Sequence, residues 1–161
     1  MKKPILTLLL ILTTLPLHAA EKPAWKEAVA AIDAGNLAPM QTLADAGDAA
    51  AQHSLGVLYE KGEGVSKDYA QARAWYQKAA AKENRSAAYN LGNHYRYGLG
   101  VVQDYQQARQ WYEKAAAQGH AKAQYQLGQH YRNSDPQKAR AWLEKAAAQD
   151  NADAKKALQT W

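Results

Sequence analysis

Four histidines lie beyond residue 20. Their side chains could do the most varied chemistry in this part of the chain, because imidazole binds metal ions and transfers protons near neutral pH. They are His53, His94, His120 and His130, and two of them, His94 and His130, stand 36 residues apart. A metal site needs three or four ligands at bonding distance, and the sequence offers no cysteine and no His-Glu-x-x-His pattern to supply them. We therefore expect hydrogen-bonded, partly buried histidines, with no catalytic residue, no bound metal and no cofactor.

Glycine-rich turns and tryptophans are the other residues that suggest ligand sites. Gly62-x-Gly64 and Gly98-x-Gly100 have the composition of a phosphate-binding loop, but both stand at the same place in a repeated pattern. A phosphate loop follows a strand and opens a helix, whereas these pairs lie between two helical patterns and indicate turns. The tryptophans recur on one helix per repeat, which predicts packing rather than a ligand cage.

The sequence repeats with a period of 36 residues. A leucine–glycine pair followed by tyrosine three positions later recurs as Leu55-Gly56 with Tyr59, Leu91-Gly92 with Tyr95, and Leu127-Gly128 with Tyr131. A second signature recurs as Trp75-Tyr76, Trp111-Tyr112 and, after only 31 residues, Trp142-Leu143. A fixed period of this length is typical of stacked helical repeats.

Each repeat is predicted to contain two helices. The first carries apolar residues at the spacing of one helical face, namely Ala51, Leu55, Leu58 and Tyr59. Gly62 ends it, Asp68 can cap the next helix, and Ala72, Trp75 and Ala79 form the second apolar face. Glycine inside a helix costs about 1 kcal/mol relative to alanine, so the recurrence of Gly56 indicates that a second helix approaches closely there.

The chain divides into four predicted parts. Residues 1–20 carry Lys2, Lys3, an apolar run and then Ala19-Ala20, the order of a secretory signal peptide; the run is shorter than the ~20 residues of a membrane-spanning helix. Residues 21–48 predict N-terminal capping helices, residues 49–150 three repeats, and residues 151–161 a C-terminal capping helix. The third repeat lacks five residues in its turn, yet Asp135-Pro136 still predicts a helix start.

The pattern from Ala51 to Ala80 resembles a Sel1-like repeat, a relative of the tetratricopeptide repeat. Ala87–Ala116 resembles it equally well, and Ala123–Ala147 resembles it with the Gly-x-Gly-Val turn deleted. The resemblance implies an all-α, right-handed superhelical solenoid of antiparallel helix pairs, with a concave groove lined by first helices that grips other proteins. Some cysteine-rich exported relatives have been linked to β-lactam binding; this chain has no cysteine, so that activity is not expected.

The candidate binding residues lie on the first-helix face opposite the apolar stripe, which in this architecture lines the groove. They are His53, Tyr89, Asn93, Arg96, Tyr97, Tyr125, Gln129 and Arg132. Tyrosine and arginine contribute most to interface energetics, and large aromatic residues on a surface favour a binding role. The alternative is a solvated helix face with incidental tyrosines.

The charges are unevenly distributed along the chain. Residues 21–63 carry 3 basic and 7 acidic side chains, and residues 64–161 carry 15 and 8. This polarity favours an acidic partner, the alternative being charges spread over solvated faces. With no clustered basic run, nucleic acid is not expected, and no further apolar segment predicts membrane insertion once the signal peptide is removed.

We expect a periplasmic, non-enzymatic module that is monomeric when free and binds a protein partner. An inhibitor or immunity protein against an envelope-targeted toxin or hydrolase is the sharper form of this hypothesis. Two alternatives stay open: an envelope assembly or stress-response scaffold, and a cell-wall or β-lactam hydrolase.

Overall fold

The computed structural model describes residues 23–161, and the predicted signal peptide lies outside that range. Within it the regular structure is helical: α1 Pro23–Asp33, α2 Ala38–Asp45, α3 Ala49–Lys61, α4 Tyr69–Ala80, α5 Arg85–Tyr97, α6 Tyr105–Ala117, α7 Ala121–Tyr131, α8 Pro136–Ala147 and α9 Ala152–Gln159. The chain forms two compact units, of which unit 1 ends at Asn84 and unit 2 begins at Arg85. The predicted all-α fold class is confirmed.

Unit 1 packs its helices in chain order, α1 on α2, α2 on α3 and α3 on α4. Its interior combines large side chains from every helix: Trp25, Ile32, Met40, Leu55, Leu58 and Trp75. The predicted first-helix stripe is confirmed, because Ala51, Leu55 and Leu58 are buried and Tyr59 packs against the same cluster. The predicted cap at Asp68 is also present, since its Oδ1 accepts hydrogen bonds from the backbone N–H groups of Ala70 and Gln71.

Unit 2 contains two helix pairs, α5 with α6 and α7 with α8, and α9 packs on α8. Its interior depends on small residues, since alanines at repeated positions are buried beside Leu91, Leu127 and Leu143. Side-chain caps begin α6, α7, α8 and α9, supplied by Asp104, His120, Asp135 and Asn151. Asp135 and Pro136 start α8 as predicted, so the helix pair survives the shorter turn.

The repeated glycine is a point of close approach within each helix pair, as predicted. A Cβ atom added at Gly56 would lie 2.4 Å from the Tyr76 ring, and one at Gly92 would lie 2.5 Å from the Tyr112 ring. At Gly128 it would meet Leu143 at 2.6 Å. Side-chain carbons do not approach this closely, so each glycine leaves the space that the second-helix residue fills.

The tryptophans of the second helices also pack as predicted, and each is covered by a lysine three residues later. Lys78 Nζ lies 3.8 Å from the centre of the Trp75 ring, and Lys114 Nζ lies 4.3 Å from that of Trp111. Trp75 is buried in the core of unit 1, whereas Trp111 is half-buried in unit 2. The ammonium group lies over the ring face in a cation–π contact, and both lysine side chains stay exposed to water on their other side.

Candidate protein-binding face

Four of the predicted site residues lie on α5, at the spacing of one helical face. They are Tyr89, Asn93, Arg96 and Tyr97. The first three are half-buried, whereas Tyr97 is 58% exposed. The helix therefore presents hydrogen-bonding groups that are partly fixed by their neighbours, with an exposed aromatic ring at its C-terminal end.

Asn93 is oriented by a tyrosine from the second helix of the same repeat. The hydroxyl of Tyr112 donates a 2.8 Å hydrogen bond to Asn93 Oδ1, and the Tyr112 ring lies against Gly92. The glycine lets the ring pass between the helices, so that its hydroxyl reaches the surface of α5. Tyr112 was predicted only as part of the recurring Trp-Tyr signature, and its role in orienting Asn93 was missed. The recurrence of that pair together with the glycine was the available signal.

Arg96 is held by a partner on α7. Its NH1 donates to Gln126 Oε1, and its guanidinium carbon lies 5.3 Å from the centre of the Tyr97 ring. These contacts fix the direction of the guanidinium group before any ligand binds. Gln126 was not predicted as a site residue. It follows Tyr125 in the sequence, outside the predicted stripe, and the repeat pattern does not single it out.

Tyr89 packs between two other rings. Its ring centre lies 5.8 Å from that of Tyr112 and 4.6 Å from that of His120, with which it is stacked at an interplanar angle of 19°. Burial raises the pKa of Tyr89, and burial likewise raises the pKa of Tyr112. Both phenols therefore stay protonated at neutral pH and act as hydrogen-bond donors.

Two further predicted residues, one near the end of α7 and one directly after it, differ in exposure. Gln129 is half-buried and Arg132 is exposed. The Arg132 guanidinium carbon lies 5.5 Å from the centre of the Trp161 ring. We use the term α5–α7 face for the surface carrying Tyr89, Asn93, Arg96, Tyr97, Gln126, Gln129 and Arg132.

The structure corrects the placement of Tyr125. This side chain is half-buried and packs against a core cluster that includes Leu143, Ala154 and Ala157. Its position in the sequence matches that of Tyr89, but its ring packs against side chains of α8 and α9. Tyr125 therefore stabilises the C-terminal end of unit 2, and the expectation that it lies outside the core is wrong.

His53 is likewise not a surface residue. It is only 6% exposed, and its ring centre lies 5.7 Å from that of Tyr76. Burial lowers the pKa of His53 to about 4, against a smaller opposing effect of Glu60. A neutral, enclosed imidazole contributes to the packing of unit 1, so the predicted exposed position of His53 is wrong.

Comparison with known proteins places these helix pairs in a family. A profile of the Sel1 repeat matches residues 49–84, 85–120 and 121–151. The chain belongs to the Sel1 repeat family. The three matches coincide with α3 and α4, α5 and α6, and α7 and α8. Sel1 repeats indicate a protein–protein interaction module, so the predicted interaction class is confirmed at this level.

Solved structures of Sel1 repeat proteins are similar to this chain. A Sel1 repeat protein from Oxalobacter formigenes is 39% identical, with 76% of this chain and 96% of that chain covered and a TM-score of 0.71. The protein c5321, a protective antigen present in uropathogenic Escherichia coli strains, is 27% identical to this chain, also with a TM-score of 0.71. The match covers 84% of this chain and 33% of c5321. This chain therefore corresponds to about a third of c5321. No curated protein matches the chain.

The Sel1 helices of unit 2 carry an uneven distribution of charge. The sequences of the first helices, α5 and α7, contain no aspartate or glutamate, and their basic residues are Arg85, Arg96 and Lys122. Within residues 23–161 neither Arg96 nor Arg132 forms a salt bridge. The α5–α7 face is therefore positively charged, with donors from arginine, amide and phenol groups.

The described residues contain neither a cluster of metal ligands nor a membrane-spanning helix. From residue 23 onward no three histidine or acidic side chains lie close enough together to hold a metal ion. His94 is fully buried, and His120 Nδ1 accepts a hydrogen bond from the backbone N–H of Ala123. In the same part of the chain no helix has the length and apolar character needed to cross a bilayer.

Proposed function

We propose that this Sel1 repeat protein is a non-enzymatic module that binds a partner protein on the α5–α7 face, in the periplasm after export. The observation that carries the proposal is the contact of Arg96 with Gln126 on α7 and with the Tyr97 ring. The sequence predicted a groove that spans all repeats, whereas the binding site proposed here uses residues of unit 2 only.

The face has the composition and order of a binding surface. Tyrosine and arginine are enriched at the centres of protein interfaces, where single residues contribute 2 kcal/mol or more. Side chains already ordered in the free protein lose less conformational entropy on binding, which improves affinity. Arg96, Asn93 and Tyr89 each have partners within unit 2 that restrict their rotation.

Capture of the partner is the first step of the test. A photoreactive amino acid replaces Tyr97 on the face in one variant and Gln107 on the exposed side of α6 in another. After irradiation of cells, we expect a cross-linked protein at position 97 and none at position 107. Cross-linking confined to position 107 would show that the partner binds elsewhere.

Calorimetric titration with the captured partner then measures the contribution of the face. Arg96→Ala combined with Tyr97→Ala should lower the affinity at least tenfold, because each removes a central anchor. Gln107→Ala with Gln110→Ala on α6 should change it less than twofold. Circular dichroism establishes that both double variants remain folded. Equal affinities for the two variants would exclude the α5–α7 face as the binding site.

Neutralisation of an envelope-targeted toxin or hydrolase is the biological form of the proposal that we favour. A leader of the signal-peptide type would bring the chain to the compartment where such enzymes act. A strain without the gene should be lost in contact with its parent strain. The wild-type gene should restore survival, and the Arg96→Ala and Tyr97→Ala variant should not. Equal survival of deletion and parent strains would exclude the immunity role and leave that of a scaffold.

Export is tested separately. The chain produced with its leader in a Gram-negative host should be recovered from the periplasm with its first residue at Ala20 or Glu21, as read by N-terminal sequencing. Recovery with Met1 in the membrane fraction would show that the leader is an anchor instead.

A further inference from the structure

We infer that the partner segment recognised by the α5–α7 face is an acidic, extended stretch of polypeptide, whose carboxylates pair with Arg96 and Arg132. This inference rests on the proposed function and names the chemistry of the partner. Three features of unit 2 support it: where its acidic residues are used, how Arg96 is held, and what surrounds Arg96.

Five of the six acidic residues of unit 2 form salt bridges or helix caps, and the sixth, Asp153, lies on α9. Three of them form salt bridges, namely Glu113 with Arg109, Glu144 with Arg140 and Asp150 with Lys155. Asp104 and Asp135 cap the second helices α6 and α8. The first helices carry none. The Glu113 carboxylate reaches Tyr131 at the end of α7, but it is paired with Arg109. The α5–α7 face therefore keeps a positive charge, and electrostatic complementarity selects an acidic partner.

Arg96 is positioned to bind a carboxylate. Its guanidinium group has five N–H donors in a fixed plane, and the amide oxygen of Gln126 accepts from NH1. A neutral acceptor orients the group without neutralising its charge, in contrast to Arg109, whose NH1 lies 2.9 Å from the Glu113 carboxylate. A carboxylate from a partner can therefore form the charge-assisted, two-pronged hydrogen bonds that arginine favours.

The groups around Arg96 suit a peptide better than another anion. Asn93 and Gln126 carry amide oxygens that accept from Tyr112 and Arg96, and each oxygen keeps a second lone pair for an N–H group of an extended chain. Gln129 adds a further amide on α7. The exposed Tyr97 ring provides an apolar contact beside the charge. Lipid headgroups would need no such amides, and a stacking platform for bases would need aromatic rings with free faces, whereas the Tyr89 ring is stacked on His120.

The experiment selects peptides without assuming a sequence. The full chain, as recovered from an exporting host, is immobilised and used to select from a phage-displayed library of random peptides. A synthetic copy of the most enriched peptide is then titrated by fluorescence anisotropy against the wild type, Arg96→Gln, Arg132→Gln and Lys114→Gln. The last variant loses the same charge on α6, outside the face. Circular dichroism melting establishes that each variant is folded.

The expected result is enrichment of aspartate and glutamate over the unselected library. Arg96→Gln should weaken binding about tenfold or more and Arg132→Gln about threefold, because Arg132 is more exposed and screened; Lys114→Gln should leave it within twofold. Enriched peptides without an acidic excess, or equal losses in all three variants, would overturn this inference while leaving protein binding intact.

Two further outcomes separate the inference from the proposed function. If no peptide is enriched and the photo-cross-linking at position 97 also yields nothing, the proposed function itself fails. If the chain binds phosphatidylglycerol vesicles through Arg96 and selects no peptide, the positive face recognises anionic lipid, and the acidic-peptide inference is wrong.

Discussion

In the first repeat, α3 and α4, the Tyr76 ring lies against Gly56 and its hydroxyl donates a 2.7 Å hydrogen bond to Glu60 Oε2. In the second repeat, α5 and α6, the Tyr112 ring lies against Gly92 and its hydroxyl donates to Asn93 Oδ1. The interior contact is thus the same in the two repeats, whereas the acceptor on the first helix changes from a carboxylate to an amide.

The difference shows which parts of a Sel1 repeat are constrained. The glycine and the second-helix tyrosine must match each other in shape, so they recur together. The first-helix position that receives the hydroxyl is free to change, because Glu60 stands where the next repeat has Arg96 and Asn93 stands where the first repeat has Val57. Binding specificity can therefore vary from repeat to repeat without altering the packing that holds each helix pair.

The largest effect is expected from filling the space beside the tyrosine rings. Gly92→Leu and Gly56→Leu should each lower the free energy of unfolding by about 3 kcal/mol or more, at the upper end for overpacked sites, because ring and helix backbone leave no room. Gln106→Leu, at an exposed position of α6, should change it by less than about 0.5 kcal/mol. Urea unfolding measures all three. A mild effect at one glycine only would show that the two contacts are not equivalent.

The next effect distinguishes His53 from its counterpart Tyr89. The pKa of His53 is lowered to about 4 in the folded protein, below the value of about 6.5 expected when unfolded. The unfolded chain therefore binds the proton more readily, and stability present above pH 6.5 is lost as the pH falls towards 4. The difference in pKa corresponds to roughly 3 kcal/mol.

His53→Gln removes this titration, so the variant should lose about 2 to 3 kcal/mol less than the wild type between pH 7 and pH 4. Denaturant unfolding at the two pH values gives the comparison. His130→Gln, at an exposed position on α7, should leave most of the wild-type loss in place. The same pH dependence in wild type and His53→Gln would show that His53 can be protonated without unfolding.

Double-mutant cycles measure the two tyrosine hydrogen bonds themselves. The cycle of Tyr76→Phe with Glu60→Ala should give a coupling free energy of about 1.5 kcal/mol, because a charged acceptor strengthens the bond. The cycle of Tyr112→Phe with Asn93→Ala should give about 1 kcal/mol. A cycle is needed because each residue has other neighbours whose effects cancel in the coupling term. A larger coupling free energy in the second repeat would contradict the expectation that the carboxylate acceptor forms the stronger hydrogen bond.

The smallest effect concerns the lysines that cover the tryptophans. Lys78→Met and Lys114→Met should each cost about 0.5 kcal/mol, because methionine keeps the apolar contact and removes only the cation–π attraction. The shorter distance and the deeper burial of Trp75 favour the larger loss at Lys78. Thermal unfolding followed by calorimetry can detect a change of this size, and Lys122→Met on α7 is the control. No difference between Lys78→Met and the control would indicate that the contact contributes only packing.

The repeat period allowed much of the fold to be predicted from the sequence. Leu55, Leu91 and Leu127 identified the buried stripe, Gly56 and its equivalents identified the close helix contact, and Asp135-Pro136 identified the start of α8. These features depend on local spacing and on shape matching between residues of one repeat, and both are visible in a single sequence.

The candidate site was only partly predictable, because a helical spacing gives the direction of a side chain and not what covers it. His53 points away from the stripe, yet Tyr76 lies over it. Tyr125 has the same direction, but it packs against the cluster formed by α8 and α9. The contact of Arg96 with Gln126 joins two helices 30 residues apart, and no pattern within one repeat reveals such a pair.

The position of the Tyr112 hydroxyl has a consequence for how this protein responds to a bound partner. The same side chain closes the contact of α5 with α6 and orients Asn93 on the surface, so occupancy of that surface and folding of that helix pair are thermodynamically linked. A ligand that binds only the folded state stabilises it by about 2.7 kcal/mol at a concentration 100 times its Kd. Amide hydrogen exchange in α5 and α6 should therefore slow first, and Tyr112→Phe should weaken that protection without touching the ligand.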